Sequence, residues 1–222
     1  NQRMHDALHS PGRFNTVYVY EREQKWPWGH RNVVFAQRGG PVVYINRSLY
    51  LNSPWQKTLP VDPKGAGEIS PYELWDLLKK YDKPVALVSH TGATGMGTDW
   101  KKYEKFDYSS ENVVEIYQGA RVSYEGAGAP QPTVGLRPKV GLTSLGRIKN
   151  EPHGPINDFG QHANGTYQTA LSVGHNLGVF ASSDHISQHA SYGGVFCKEF
   201  TREGIIEAMD NRRTIAATDK IY

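Results

Sequence analysis

The chain has 222 residues, of which 38% are apolar and 21% charged, which suits a folded domain with a sizeable core and excludes a disordered chain. A net charge of +3 with neutral histidines argues against a nucleic-acid surface as the main business and leaves a small anionic substrate open. No apolar run reaches the roughly 20 residues of a membrane span, and the lone Cys197 excludes an internal disulfide.

In chain order, residues 14–20 (Phe-Asn-Thr-Val-Tyr-Val-Tyr) are β-branched and aromatic and predict a strand. Residues 32–36 and 42–45 predict two more, split by Gly39-Gly40-Pro41. Ser70-Pro71-Tyr72-Glu73 is a capping box with proline at the first helical position, and Leu74, Leu77, Leu78 and Tyr81 give the helix its apolar face. Val85 to Val88 is a continuous apolar run, as in a strand buried on both faces. Strands follow at 113–117, 177–181, 195–197 and 214–217, with helices at 160–175 and after Thr201, the latter turning Ile205, Ile206 and Met209 inward. Alternating strands and helices predict an α/β fold of parallel βα units, in an open sheet or a barrel. Residues 1–222 read as one domain. Residues 118–158 stand apart as a long Gly/Pro-rich loop insertion. The abrupt start at Asn1-Gln2-Arg3 and stop at Lys220-Ile221-Tyr222 read as cuts in a larger chain, so the compartment stays open.

Potential metal ligands recur where the apolar strands stop. Glu21 follows Val17-Tyr18-Val19-Tyr20, His90 follows Val85–Ser89, and Asp184-His185 follow Val179–Ser183. In parallel α/β folds the C-terminal strand ends share one face, which carries the active site. Carboxylate with imidazole is the donor set of zinc, manganese and iron sites. Each residue alone has a plainer reading: a capping histidine for His90, a solvated turn for Glu21 beside Arg22 and Glu23, a helix cap for Asp184-His185. Glu115, inside an apolar strand, needs an arginine or a metal as partner.

The same segments resemble a known family. Pro11-Gly12-Arg13-Phe14, the Tyr20-Glu21 strand end and Gly29-His30-Arg31-Asn32-Val33 are similar to the DUF3604 proteins, relatives of the PHP (polymerase and histidinol phosphatase) metallo-hydrolases. So are His90-Thr91-Gly92-Ala93-Thr94, Met96-Gly97-Thr98-Asp99-Trp100, and Val114–Gly119 with Arg121, Tyr124-Glu125 and Ala129-Pro130. Ala181-Ser182-Ser183-Asp184-His185 with Ser187, His189 and Ser191-Tyr192 is the most specific block, and Ala216-Ala217-Thr218-Asp219 closes the match. The resemblance implies part of a distorted, TIM-like β/α barrel with divalent metal ions (zinc, manganese or iron) at the C-terminal strand ends. Carried over, Glu21, His30, His90 and Asp184 fall on ligand positions. The usual last motif is Asp-x-His, whereas His185 follows Asp184 directly, so His185 or His189 completes the site. The family's first-strand His-x-His precedes this segment, and His5 and His9 are spaced differently. The chain is therefore expected to be the second part of a barrel.

That resemblance makes the leading function metal-assisted hydrolysis of a phosphoester or related ester, a bound water being the nucleophile. His30, His90 or His185 would pass a proton to the leaving group. Arg31 and Arg121 are candidates for an anionic substrate, with structural ion pairs as the alternative. Asp99 and Asp219 are weaker candidates. The competing function is a non-catalytic truncated barrel that binds or self-assembles, as a homo-oligomer or with the missing N-terminal part. His5-Asp6-Ala7-Leu8-His9 has a zincin-like spacing, but Ser10-Pro11-Gly12 stops its helix at once. Cys197 reads as a buried thiol, and Trp26, Trp28, Trp55 and Trp100 as loop aromatics that plug a core edge.

Overall fold

A computed structural model describes residues 2–24, 26–43, 71–94, 96–103, 111–118, 141–142, 148–149, 162–183 and 191–217. A short N-terminal helix, α1 (Gln2–Leu8), leads into β1 (Tyr18–Arg22) and β2 (Arg31–Phe35). Helix α2 (Pro71–Lys79) precedes β3 (Val85–Ser89) and β4 (Glu111–Gln118). A two-stranded pair, β5 (Gly141–Leu142) and β6 (Ile148–Lys149), comes next, then α3 (Tyr167–Ser172), β7 (Gly178–Ser182), β8 (Tyr192–Val195), α4 (Arg202–Asp210) and β9 (Thr214–Ala217).

Among the described residues the central sheet has five strands, in the order β1-β2-β3-β4-β7. The expected α/β class holds, but the sheet is mixed. β2 runs antiparallel to both β1 and β3, whereas β3, β4 and β7 are parallel. The connection at 23–30 explains the first reversal, because a parallel crossover needs a dozen or more residues. Among the described residues no closed barrel forms.

Strand alternation divides the sheet into two faces. One face turns Val33, Phe35, Val85 and Leu87 onto Leu74, Trp75 and Leu78 of α2. Pro71 opens that helix, with Glu73 in its first turn and Lys79 in its last. Trp75 takes the core place the spacing assigned to Leu77, which is only partly buried, and Ser70 lies outside the described residues. The other face turns Val34, Ala86, Val88 and Val113 onto Ile206 and Met209 of α4. Thr201 caps α4 by accepting a hydrogen bond from the Gly204 amide (3.0 Å). β3 is buried along its whole length because it lies centrally with both faces covered.

Several boundaries differ from expectation. The strand expected over 14–20 is shifted to Tyr18–Arg22. Val42 and Val43 are outside any strand, and residues 44–45 lie outside the described residues. The helix expected over 160–175 is a 3-10 turn (Ala163–Gly165) followed by α3, which Thr166 caps by accepting from the Thr169 amide (3.2 Å). The strand expected at 195–197 is instead Tyr192–Val195, leaving Cys197 past its end and half-buried. A Cβ on Gly193 would lie 2.2 Å from the Phe180 ring. Glycine is there because β8 crosses that ring closely. Of 118–158, only Gln118 and the β5–β6 pair are described. No helix among the described residues is long and apolar enough to cross a membrane.

Candidate functional site

The topology brings the C-terminal ends of β1, β3, β4 and β7 and the N-terminal end of β2 to one edge of the sheet. On this edge four neighbouring strands each direct one ionisable side chain to the α4 face. Glu21 comes from the end of β1, His30 from the residue before β2, His90 from the residue after β3, and Glu115 from β4. Alternation places them together: Glu21 pairs in register with Asn32, Asn32 with Val88, and Glu115 with Phe180. The register slips just after Glu115, between it and Tyr117. Irregularities of this kind re-aim side chains and recur beside functional sites.

The four form a row of contacts. His30 Nδ1 donates to Glu21 Oε1 at 2.7 Å, and His90 Nε2 lies 3.6 Å from the same oxygen. The other ring nitrogen of His90, Nδ1, lies 3.3 Å from Glu115 Oε1. That last contact is close enough for an ion pair but out of line for a hydrogen bond, and Glu115 Oε1 has no hydrogen-bond partner. Glu21 is the most exposed of the four side chains, at 37%, and Glu115 the least, at 2%. The group therefore meets solvent at Glu21 and is sealed in the core at Glu115.

Backbone contacts fix the two histidines. The His90 amide donates to the His30 carbonyl (3.0 Å), and the His30 amide donates to the Met96 carbonyl (2.9 Å). Gly29, with φ +77°, turns the chain into His30, and a Cβ there would lie 2.5 Å from Thr98 Oγ1. The loop after His90 is self-braced: the Gly97 amide donates to the Thr94 carbonyl (2.9 Å), and Thr94 Oγ1 donates to the Thr91 carbonyl (3.0 Å). Asp99 belongs to this bracing, accepting from the Lys101 amide (3.1 Å).

Arg31 does not join the row. As His30's neighbour it points to the opposite face, where it is wholly buried. Its Nε donates to Glu111 Oε2 (2.8 Å), Nη1 to the carbonyls of Gly29 (3.1 Å) and Trp28, and Nη2 to Tyr103 Oη (2.6 Å). Trp75 Nε1 (2.8 Å) and Ser89 Oγ also donate to the Glu111 carboxylate. Burial opposes the charge on Arg31, but Glu111 and Tyr103 outweigh it and hold the guanidinium above its ordinary range. Burial also pushes the Tyr103 hydroxyl up to about 12. Arg31 is thus a structural cation, and the expectation that it binds substrate is corrected. Sequence reading missed its partner, since Glu111 sits 80 residues away beyond any spacing rule.

The remaining expectations divide as follows. Arg121, Asp184, His185, His189, Trp55 and Asp219 lie outside the described residues. Trp100 is buried and donates to the Gly165 carbonyl (3.2 Å), Trp28 packs beside Tyr72 and Tyr103, and Trp26 stacks on His162 with centroids 4.0 Å apart. Trp100 and Trp28 therefore serve the core. Asp6, between His5 and His9, is taken up by Arg38, Arg202 and Tyr18.

Carboxylate and imidazole suit a divalent ion in chemical type. Among the described residues, however, no group of three or more His, Cys, Asp or Glu is placed to hold one. His30 and His90 both approach Glu21 Oε1, and Glu115 meets His90 on its other side. The orientation of His90 does fit a ligating histidine, with one ring nitrogen toward a buried carboxylate and the other toward Glu21. No family model, curated protein or solved structure matches the chain.

Proposed function

We propose that the chain is a metal-dependent hydrolase of the PHP type, acting on a phosphoester or related ester at the sheet edge that carries Glu21, His30 and His90. The observation that carries this reading is the joining of those residues through Glu21 Oε1, which His30 approaches to 2.7 Å and His90 to 3.6 Å. Glu21, His30 and His90 would hold the ion, and a further ligand would come from Asp184 with His185 or His189. A divalent ion held there would supply a coordinated water of lowered pKa and would polarise the scissile bond.

The chain's own residues have separate tasks in this reading. Glu115 faces His90 Nδ1 from the buried side at 3.3 Å and biases the ring's position electrostatically. Glu21 orients His30 by accepting its Nδ1–H. A histidine that is not a ligand, His185 foremost, passes a proton to the leaving group. Arg121 is the remaining candidate for holding an anionic substrate. The mixed sheet would then be part of a distorted barrel.

The second reading is a non-catalytic binding or self-assembly module. It is favoured by β1 being an outermost strand of the sheet among the described residues, with Val19 exposed, since outer strands can pair with other chains.

The deciding measurement is metal content by inductively coupled plasma mass spectrometry on protein purified without chelator or affinity metal. Near-stoichiometric zinc, manganese or iron, lost in His90→Ala and Asp184→Ala, is the expected result. A metal-free wild type that also takes up no added ion in equilibrium dialysis overturns the hydrolase reading, and self-association without metal then supports the second.

A further inference from the structure

The face that carries the row also bounds a cavity of about 390 Å³ between the sheet, β8 and α4. Its walls are apolar: Val19 and Val34 from the sheet, Phe180 from β7, Val195 from β8 and Ile205 from α4. Its polar end includes Glu115, whose Oε1 is buried without a hydrogen-bond partner. The cavity opens to solvent on the side of Val19, which is 49% exposed. An apolar space this large, ending on a buried carboxylate that touches His90, has the make-up of a ligand pocket, in which apolar walls supply contact area and a few polar groups fix orientation.

We propose that this cavity takes the apolar, non-reacting part of the substrate and thereby selects esters that carry an aryl or short alkyl group. The inference rests on the hydrolase reading for the placement of the reacting ester, while the cavity's ability to hold an apolar group does not depend on it. An apolar cavity of about 150 Å³ already admits benzene, so 390 Å³ accommodates an aromatic ring with a short linker. The linker brings the ester to the row, because Glu115 belongs to both the cavity and the row. A hydroxyl or amide N–H on the linker would donate to Glu115 Oε1, satisfying an acceptor that otherwise lies buried at a cost. Small polar esters would reach the row but leave the cavity unfilled.

The test is calorimetric binding of methylphosphonate and benzylphosphonate to manganese-supplied protein, and of benzyl alcohol to metal-free protein. Two variants fill the cavity: Val19→Trp, at an exposed edge-strand position that tolerates bulk, and Val195→Phe. Wild type is expected to bind benzylphosphonate at least about tenfold more tightly than methylphosphonate, the lower end for burying an aromatic ring. Both variants should lose that preference while keeping their affinity for methylphosphonate. Equal affinities in the wild type, or a preference that survives both substitutions, overturns the proposal, as does a wild type that fails to bind benzyl alcohol. If benzyl alcohol binds wild type but neither variant, and neither phosphonate binds, the cavity stands as an apolar binding site and the hydrolase reading falls.

Discussion

Arg31 Nε and Glu111 Oε2 meet at 2.8 Å with both side chains wholly excluded from solvent, on the sheet face opposite the candidate site. Each charge depends on the other, since an uncompensated buried charge costs far more than the pair contributes. Glu111→Ala should therefore destabilise the protein by about 3–5 kcal/mol, read from the urea midpoint of unfolding. The double variant Arg31→Met, Glu111→Leu should recover most of the loss. If Glu111→Ala shifted the midpoint by less than about 1 kcal/mol equivalent, the pair would not be sealed as described.

This pair also marks how far the sequence could be read. His30 and Arg31 are adjacent, and both were candidates for one site. Alternation along a strand forbids that once Arg31–Phe35 is known to be a strand, so one of the two had to leave. Which face was the site face depended on Glu21 and His90, whose positions at strand ends were visible as apolar runs stopping at polar residues. The antiparallel course of β2 was legible in the short 23–30 connection and was missed because the downstream βα rhythm suggested parallel strands throughout. The partnership of Glu115 with His90 was not legible. A carboxylate inside an apolar strand signals a missing partner, but choosing among histidine, arginine and metal needs contacts across 25 residues of chain. Strand ends and helix caps are local and could be read, whereas the pairing of buried charges is long-range and could not.

Glu115 supports His90 from the buried side, 3.3 Å from Nδ1. On the metal reading, Glu115→Gln keeps the shape but removes the carboxylate that orients and polarises the ring. Metal affinity should fall by about 10–100-fold with little change in the unfolding midpoint, both followed on the same preparation by equilibrium dialysis and urea titration. His90→Ala should abolish binding outright. Unchanged affinity in Glu115→Gln would confine that residue to the cavity.

Gly29 stands at φ +77° with Thr98 Oγ1 and the Gly97 backbone where a Cβ would sit, at 2.5 and 2.8 Å. Gly29→Ala has to relieve both the left-handed backbone conformation and a contact with main chain that cannot rotate away. The expected loss is about 1–3 kcal/mol of stability, together with displacement of His30, whose amide is bonded to the Met96 carbonyl. Nuclear magnetic resonance of the His30 ring should show the change. An unmoved His30 resonance in a stable variant would mean that the turn is adaptable and does not set the histidine's position.

Asp210, near the end of α4, has a buried Oδ1 without a hydrogen-bond partner, and burial with the nearby Glu207 pushes its carboxyl from 3.8 up to about 7. A carboxyl whose folded value is raised binds its proton more tightly in the native state than in the unfolded chain. Its contribution is therefore fully present below about pH 4 and is lost as pH rises through 7. Asp210→Asn removes that slope. The variant should gain about 1–2 kcal/mol on the wild type between pH 4 and pH 8, after allowing for screening of a partly exposed group. Urea unfolding of both proteins at the two pH values measures the difference directly. Parallel pH profiles would show that Asp210 ionises at its ordinary pH and that α4 meets solvent there more openly than its packing indicates.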